Sequence, residues 1–169
     1  PWQSFEFIKP FLKAAIMEAN TQAANAQMGS VVSQLGELLV RDSYLAERLD
    51  PRPGQPLYLH LSDLLLTVRQ FATQEPLRIL DFGCGGSPYR SLFPNACYER
   101  ADVAGTPDLD HVIPSDGSPC RLAVPDDTFD LILSSQVLEH VPDPASYLAE
   151  ARRLLRPGGR LVLTTHGIY

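Results

Sequence analysis

The chain has 169 residues, 44% of them hydrophobic, which suits one buried core with an appendage better than two domains. Its 20 acidic residues outnumber 14 basic ones, for a net charge of -6, and no Lys/Arg run appears, so a nucleic-acid partner is not expected. Three cysteines, Cys84, Cys97 and Cys120, form neither a disulfide framework nor a Cys-x-x-Cys site, which leads us to expect no metal and a reducing, cytoplasmic setting. No apolar stretch approaches the roughly 18 residues that span a bilayer, and the opening PWQSFEFIKP lacks the form of a signal peptide. The missing initiating Met points to a trimmed chain.

From Trp2 to about Leu49 the pattern is helical. Leu35, Leu38, Leu39, Asp42, Leu45 and Leu49 recur at three and four and give one apolar stripe. The earlier AAIMEANTQAANAQMG is rich in Ala, Asn and Gln and carries few large apolar anchors, which fits a solvated or partner-dependent helix. DPRPGQP, residues 50–56, breaks any helix because proline removes a donor and restricts its predecessor. Residues 1–56 are therefore expected to be a helical cap with its linker, and residues 57–169 the core. LYLHLSDLLLTVRQFA reads as an apolar helix that packs on the sheet to come.

After Pro76 the pattern becomes strand, turn, helix. LRILDFG, CYERADV, a weak DLDHVI, FDLILSS and RLVLTT read as five strands. Between the last two, Asp143 suits an N-cap, Pro144 the first turn, ASYLAEARRLL the helix, and Pro157-Gly158-Gly159 its stop. Alternating strands and helices imply a parallel sheet covered on both faces, with ligands at the carboxyl ends of the strands.

DFGCGGSPY sits at such an end. Gly83 and Gly85 have no Cβ, so the backbone there can approach a ligand closely, or can simply turn. Dinucleotides and adenosyl ligands both use such loops, but Pro88 stands where the third dinucleotide glycine belongs, which disfavours a nicotinamide cofactor. Asp102 ends the second strand roughly twenty residues on, where a carboxylate can accept both ribose hydroxyls or merely form a turn. Asp116-Gly117 can reach an adenine amino group or make a turn. Ser134 and Ser135 close the fourth strand, where small residues suit either a ligand's amino-acid end or packing.

RILDFGCGGSPYR, YERADV, VPDDTFDLILSSQVLEHVPDP and EARRLLRPGGRLVLTT, taken in order over about residues 77–165, resemble the class I S-adenosylmethionine-dependent methyltransferases, specifically their type 11 group. The resemblance implies a Rossmann-like, doubly wound parallel sheet with an N-terminal helical extension, and S-adenosylmethionine as cofactor. It also implies that Asp81, Gly83 and Gly85 hold the methionine moiety, Asp102 the ribose, Asp116 the adenine, and Ser134, Ser135 and Gln136 the wall near the methyl group. The chain departs from the family at Ser87-Pro88, where a further glycine is common, and in its poor third strand. It also stops at HGIY, before two strands the family sheet normally has. A fragment truncated after the fifth strand is expected, that edge being covered by a partner or by a second copy in a homo-oligomer.

Methyl transfer from a sulfonium is an in-line displacement that depends chiefly on alignment and exclusion of water. A base is needed only where the acceptor must lose a proton, and His140 and His166 lie on the functional edge for that role or for packing. The leading expectation is methyl transfer to a small-molecule, lipid or glycan-type acceptor. A non-catalytic interaction module on the same fold is the alternative. A nicotinamide dehydrogenase lacks the residues it would need.

Overall fold

The computed structural model describes residues 27, 28, 30 and 45–165. The apolar stripe from Leu35 to Asp42, most of the Ala/Asn/Gln-rich segment and His166 lie outside the described residues; positions 27, 28 and 30 are helical. The chain divides into two compact units, residues 1–44 and 45–169. The second unit opens with helical residues 45–49, whose Leu49 packs against a core cluster. It therefore begins ahead of the proline-rich stretch, which is itself a local turn closed by Gln55 N–H on the Arg52 carbonyl at 3.2 Å.

Among the described residues, five parallel strands follow a helix, α1 (Tyr58–Arg69). They are β1 (Arg78–Phe82), β2 (Cys97–Val103), β3 (His111–Ile113), β4 (Phe129–Ser135) and β5 (Leu155–Thr164), in the spatial order β3-β2-β1-β4-β5. A second helix, α2 (Pro144–Leu154), joins β4 to β5. Alternate side chains feed two cores, as the two-residue period of a strand requires. Ile79 of β1, with Leu131 and Leu133 of β4, meets Leu65 and Val68 of α1. Leu80 and Phe82, with Ile132, meet Tyr147, Ala151 and Leu154 of α2. Both faces are covered, and the fold is a doubly wound, Rossmann-like parallel sheet.

Helix α2 starts where expected: the Asp143 carboxylate accepts the Ser146 N–H at 3.0 Å, and Pro144 takes the first position, where its missing donor is not needed. It stops at Leu154, ahead of the Pro-Gly-Gly stretch. Strand pairing begins at once, Leu155 against Phe129, and resumes with Arg160 against Leu131. Residues 156–159 loop out opposite Asp130, with Gly158 at φ +83° and Arg156 ion-paired to the Asp130 carboxylate.

The irregular chain between β3 and β4 is pinned to α2 by a buried ion pair. Glu150 accepts the Leu122 N–H at 2.7 Å and both Nε and Nη2 of Arg153, while Arg153 Nη1 reaches the Val124 carbonyl and Asp126. Burial alone would raise the Glu150 carboxyl pKa, but the hydrogen bonds from Arg153 and Leu122 outweigh it and the net shift is downward. Removing one member strands the other in low dielectric. Glu150→Ala is expected to lose about 3 kcal/mol of unfolding free energy in a urea titration; a loss within about 0.5 kcal/mol would mean the network behaves as a surface pair.

Candidate cofactor site

The site forms where β1 ends between β2 and β4. Gly83 and Cys84 N–H both donate to the Ala101 carbonyl, at 2.8 and 3.1 Å, so the loop leaves β1 still paired to β2. From there, three side chains on one face of β2 reach into it. Tyr98 donates its hydroxyl to Asp81 Oδ2 at 2.8 Å. Arg100 Nε donates to Ser87 Oγ at 2.8 Å and Nη2 to the Gly85 carbonyl at 2.7 Å. Asp102 Oδ2 accepts the Gly85 N–H at 2.6 Å, and Oδ1 accepts Val103 N–H at 2.7 Å. Residues 98, 100 and 102 share a face because strand side chains alternate.

The glycines differ in what they permit. At Gly83, φ +81°, a Cβ would overlap the Val137 side chain, so its bareness lets the loop after β4 close against β1. At Gly86 a Cβ would overlap Leu45. At Gly85, φ +49°, nothing lies within 4 Å of the position a Cβ would take. That open face lies beside the Asp102 carboxylate, which accepts the Gly85 N–H. Ser87, at φ +52°, adopts the left-handed backbone a further glycine would have taken freely.

Opposite, α2 fixes the ends of β1 and β4 together. Tyr147, 1% exposed, donates its hydroxyl to the Phe82 carbonyl at 2.8 Å, lies 2.9 Å from Ser134 Oγ, and stacks on the Phe82 ring at 4.1 Å. Ser134 is fully buried with its hydroxyl engaged by Tyr147. Ser135 Oγ accepts from Thr164 at 3.2 Å. Gln136, at φ +58°, donates its N–H to the Thr164 carbonyl at 2.8 Å, and its Oε1 is buried without a hydrogen-bond partner among the described residues.

Asp116 and Gly117 form an exposed turn in which Asp116 Oδ1 accepts Ser118 N–H at 3.0 Å, with Gly117 at φ +85°. His140 is exposed on the short 3-10 helix Leu138–His140. Tyr89 is buried in the core on the α1 side of the sheet. The sequence reading passed over Tyr98, Arg100 and Tyr147. The first two were detectable, because Tyr-x-Arg-x-Asp in YERADV puts all three polar groups on one strand face; nothing marked Tyr147 apart from other helix aromatics.

A family profile described as a methyltransferase domain matches residues 57–168. The chain belongs to the class I S-adenosylmethionine-dependent methyltransferases. Among curated relatives, this methyltransferase domain is 35% identical over 104 residues to the ubiquinone biosynthesis O-methyltransferase of Cereibacter sphaeroides (strain ATCC 17025 / ATH 2.4.3), covering 53% of this chain and 41% of that protein. It is 32% identical over 139 residues to the protein of the same name from Parvibaculum lavamentivorans, covering 74% of this chain and 50% of that one. The chain spans about half the length of the curated relatives it matches. A SAM-dependent methyltransferase crystal structure from Aquifex aeolicus superposes with a TM-score of 0.47 at 21% identity, over 63% of this chain and 65% of that one. The methyltransferase family's cofactor is S-adenosylmethionine, and the residues present fit it: a glycine face with room for a ligand, a carboxylate beside it, and an orphaned amide oxygen at Gln136.

Asp81 is buried beneath the loop. Desolvation pushes its carboxyl up to about 7, against the lowering influence of hydrogen bonds from Tyr98 and Ser87 and of the Arg100 charge. A raised folded-state pKa means the native state holds a proton that the unfolded chain has released. The resulting stabilisation is complete below the ordinary value of 3.8 and is lost as pH rises through about 7. Between pH 5 and 7.5, thermal stability of the wild type is expected to fall relative to Asp81→Asn; parallel curves would mean that Asp81 is ionised throughout. Tyr147→Phe leaves the Phe82 carbonyl and Ser134 hydroxyl unpaired in the core and is expected to lower unfolding free energy by about 1–3 kcal/mol, measured by urea denaturation, with a loss near zero refuting the tie.

Proposed function

We propose that the protein transfers a methyl group from S-adenosylmethionine to a hydroxyl oxygen of a small-molecule acceptor, in the cytoplasm. The observation that carries the cofactor half is the pairing of the open Gly85 face with the Asp102 carboxylate. Each Asp102 oxygen accepts one backbone N–H and keeps lone-pair capacity, so the carboxylate can take the two ribose hydroxyls as paired, charge-assisted hydrogen bonds. Gln136 Oε1 offers an acceptor at the tip of β4, and burial without a partner makes any donor that reaches it worth more than one in water. Asp116, on the exposed turn that it orders through the Ser118 N–H, is the proposed acceptor for the adenine amino group.

When bound, S-adenosylmethionine supplies an electrophilic methyl on a sulfonium whose departing thioether is neutral. The protein's part is to hold the acceptor in line and exclude water. His140, exposed just past the end of β4, is the proposed proton acceptor at an imidazole nitrogen, and His166 a second one. Support for an oxygen acceptor comes from the O-methyltransferases among the curated relatives. No helix among the described residues is long and apolar enough to cross a membrane.

Calorimetric titration with S-adenosylhomocysteine tests the reading. Wild type is expected to bind with a micromolar dissociation constant, and Asp102→Ala to weaken binding by about tenfold or more, a difference of about 1.4 kcal/mol. Folded wild-type protein that binds nothing would sink the proposal in favour of a non-catalytic module.

A further inference from the structure

The buried guanidinium of Arg100 has work that neither the fold nor the proposed chemistry uses up. It is 8% exposed, and among the described residues no carboxylate lies within ion-pairing distance of it. Instead it donates to Ser87 Oγ, to the Gly85 carbonyl, and through Nη1 to the carbonyls of Pro107 and Asp108 at 2.9 and 3.0 Å. A buried cation held by carbonyls rather than by an anion is an expensive arrangement, kept only where its geometry matters.

The geometry is specific. Arg100 grips the carbonyl of Gly85 while Asp102, two residues along the same strand, grips its N–H, so both polar ends of that residue are fixed from β2. Ser87 and Asp108, the outer points of the clamp, both sit in the left-handed region, at φ +52° and +55°. A non-glycine residue there is strained, and a hydrogen bond from a rigid planar donor holds it in place. The Arg100 N–H, for its part, donates to Asp110 Oδ2 at 2.8 Å, closing the same β2–β3 turn from its other side. The two turns that Arg100 joins flank Asp102 on either side in the chain's path.

We propose that Arg100 is a positioning residue for the cofactor: it locks the Gly85–Ser87 turn to the Pro107–Asp108 turn around Asp102 and so sets the affinity for the adenosyl ligand. This rests on the cofactor assignment above. The Arg100 bonds keep the loop in place while the Asp102 carboxylate takes on the ribose hydroxyls beside its own backbone partners. Ser87, the departure from the family's glycine, is then the anchor point of the clamp, exchanging conformational ease for a hydroxyl that Arg100 can hold.

The test uses the 169-residue chain with Arg100→Ala, Arg100→Lys and the double variant Arg100→Ala/Ser87→Gly. Two readouts are taken: S-adenosylhomocysteine affinity by calorimetry, and amide hydrogen exchange of the ligand-free protein at residues 84–88 against β4. Arg100→Ala is expected to weaken binding about tenfold and to speed exchange at 84–88 about tenfold, with β4 exchange unchanged. Adding Ser87→Gly, which takes the left-handed backbone without strain, is expected to recover about threefold in affinity. Binding within about twofold of wild type, or no recovery in the double variant, overturns the proposal. Should Arg100→Ala loosen β4 as well, Arg100→Lys decides: it keeps the charge but not the fork, so about threefold weaker binding with loosening confined to the loop supports the clamp, and wild-type affinity refutes it. Wild-type protein that binds no S-adenosylhomocysteine would instead refute the cofactor assignment, while the exchange rates would still report whether Arg100 fixes the loop.

Discussion

Three polar side chains on one face of β2 govern where the chain goes after β1. Tyr98 meets Asp81, Arg100 meets Ser87 and Gly85, and Asp102 meets Gly85 again. With both sheet faces closed by α1 and α2, the backbone leaving Phe82 has few places to run, and these bonds select one. The Tyr147 hydroxyl secures the preceding carbonyl, so the loop begins from a fixed point and is guided along its length. That path leaves one glycine face bare next to a carboxylate, the pairing on which the proposed cofactor role rests.

Much of this was legible in the sequence. CYERADV and FDLILSS coincide with β2 and β4 because each is a short β-rich run preceded by a Pro, Asn or Asp turn, and a parallel strand buried on both faces has little freedom to begin elsewhere. The helix start at Asp143 was equally plain, since an N-cap is a local device. Long-range contacts were not. That a side chain at Gly83 would collide with Val137 depends on a residue more than fifty positions away, and no local pattern carries that information. The weak third strand shrank to His111–Ile113, held mainly by pairing to β2 and by Glu99, which bridges Arg78 and His111 across neighbouring strands. The Pro-Gly-Gly stretch illustrates the same limit: its composition marked a break, and tertiary pairing decided that strand β5 starts before it.

The domain keeps its ionisable groups in separate compartments. Glu150 and Arg153 are mutually satisfied on the α2 side and serve to hold down the chain between β3 and β4. Asp81 and Arg100, on the α1 side, face each other across the β1–β2 pair without an ion pair, one pushed toward its neutral form and the other wrapped in carbonyls. The first arrangement answers a structural need; the second sits directly under the cofactor loop, where a shift in one group alters the field felt by the other.

The looped-out residues between Leu155 and Arg160 separate the length of α2 from the register of β5. Val162 must face the core beside Leu133, and the apolar pattern of β5 enforces that whatever precedes it. Slack of this kind makes residues 156–159 a natural place for insertions and deletions to accumulate among relatives, since a length change there can be absorbed as a wider or tighter excursion without turning the strand inside out.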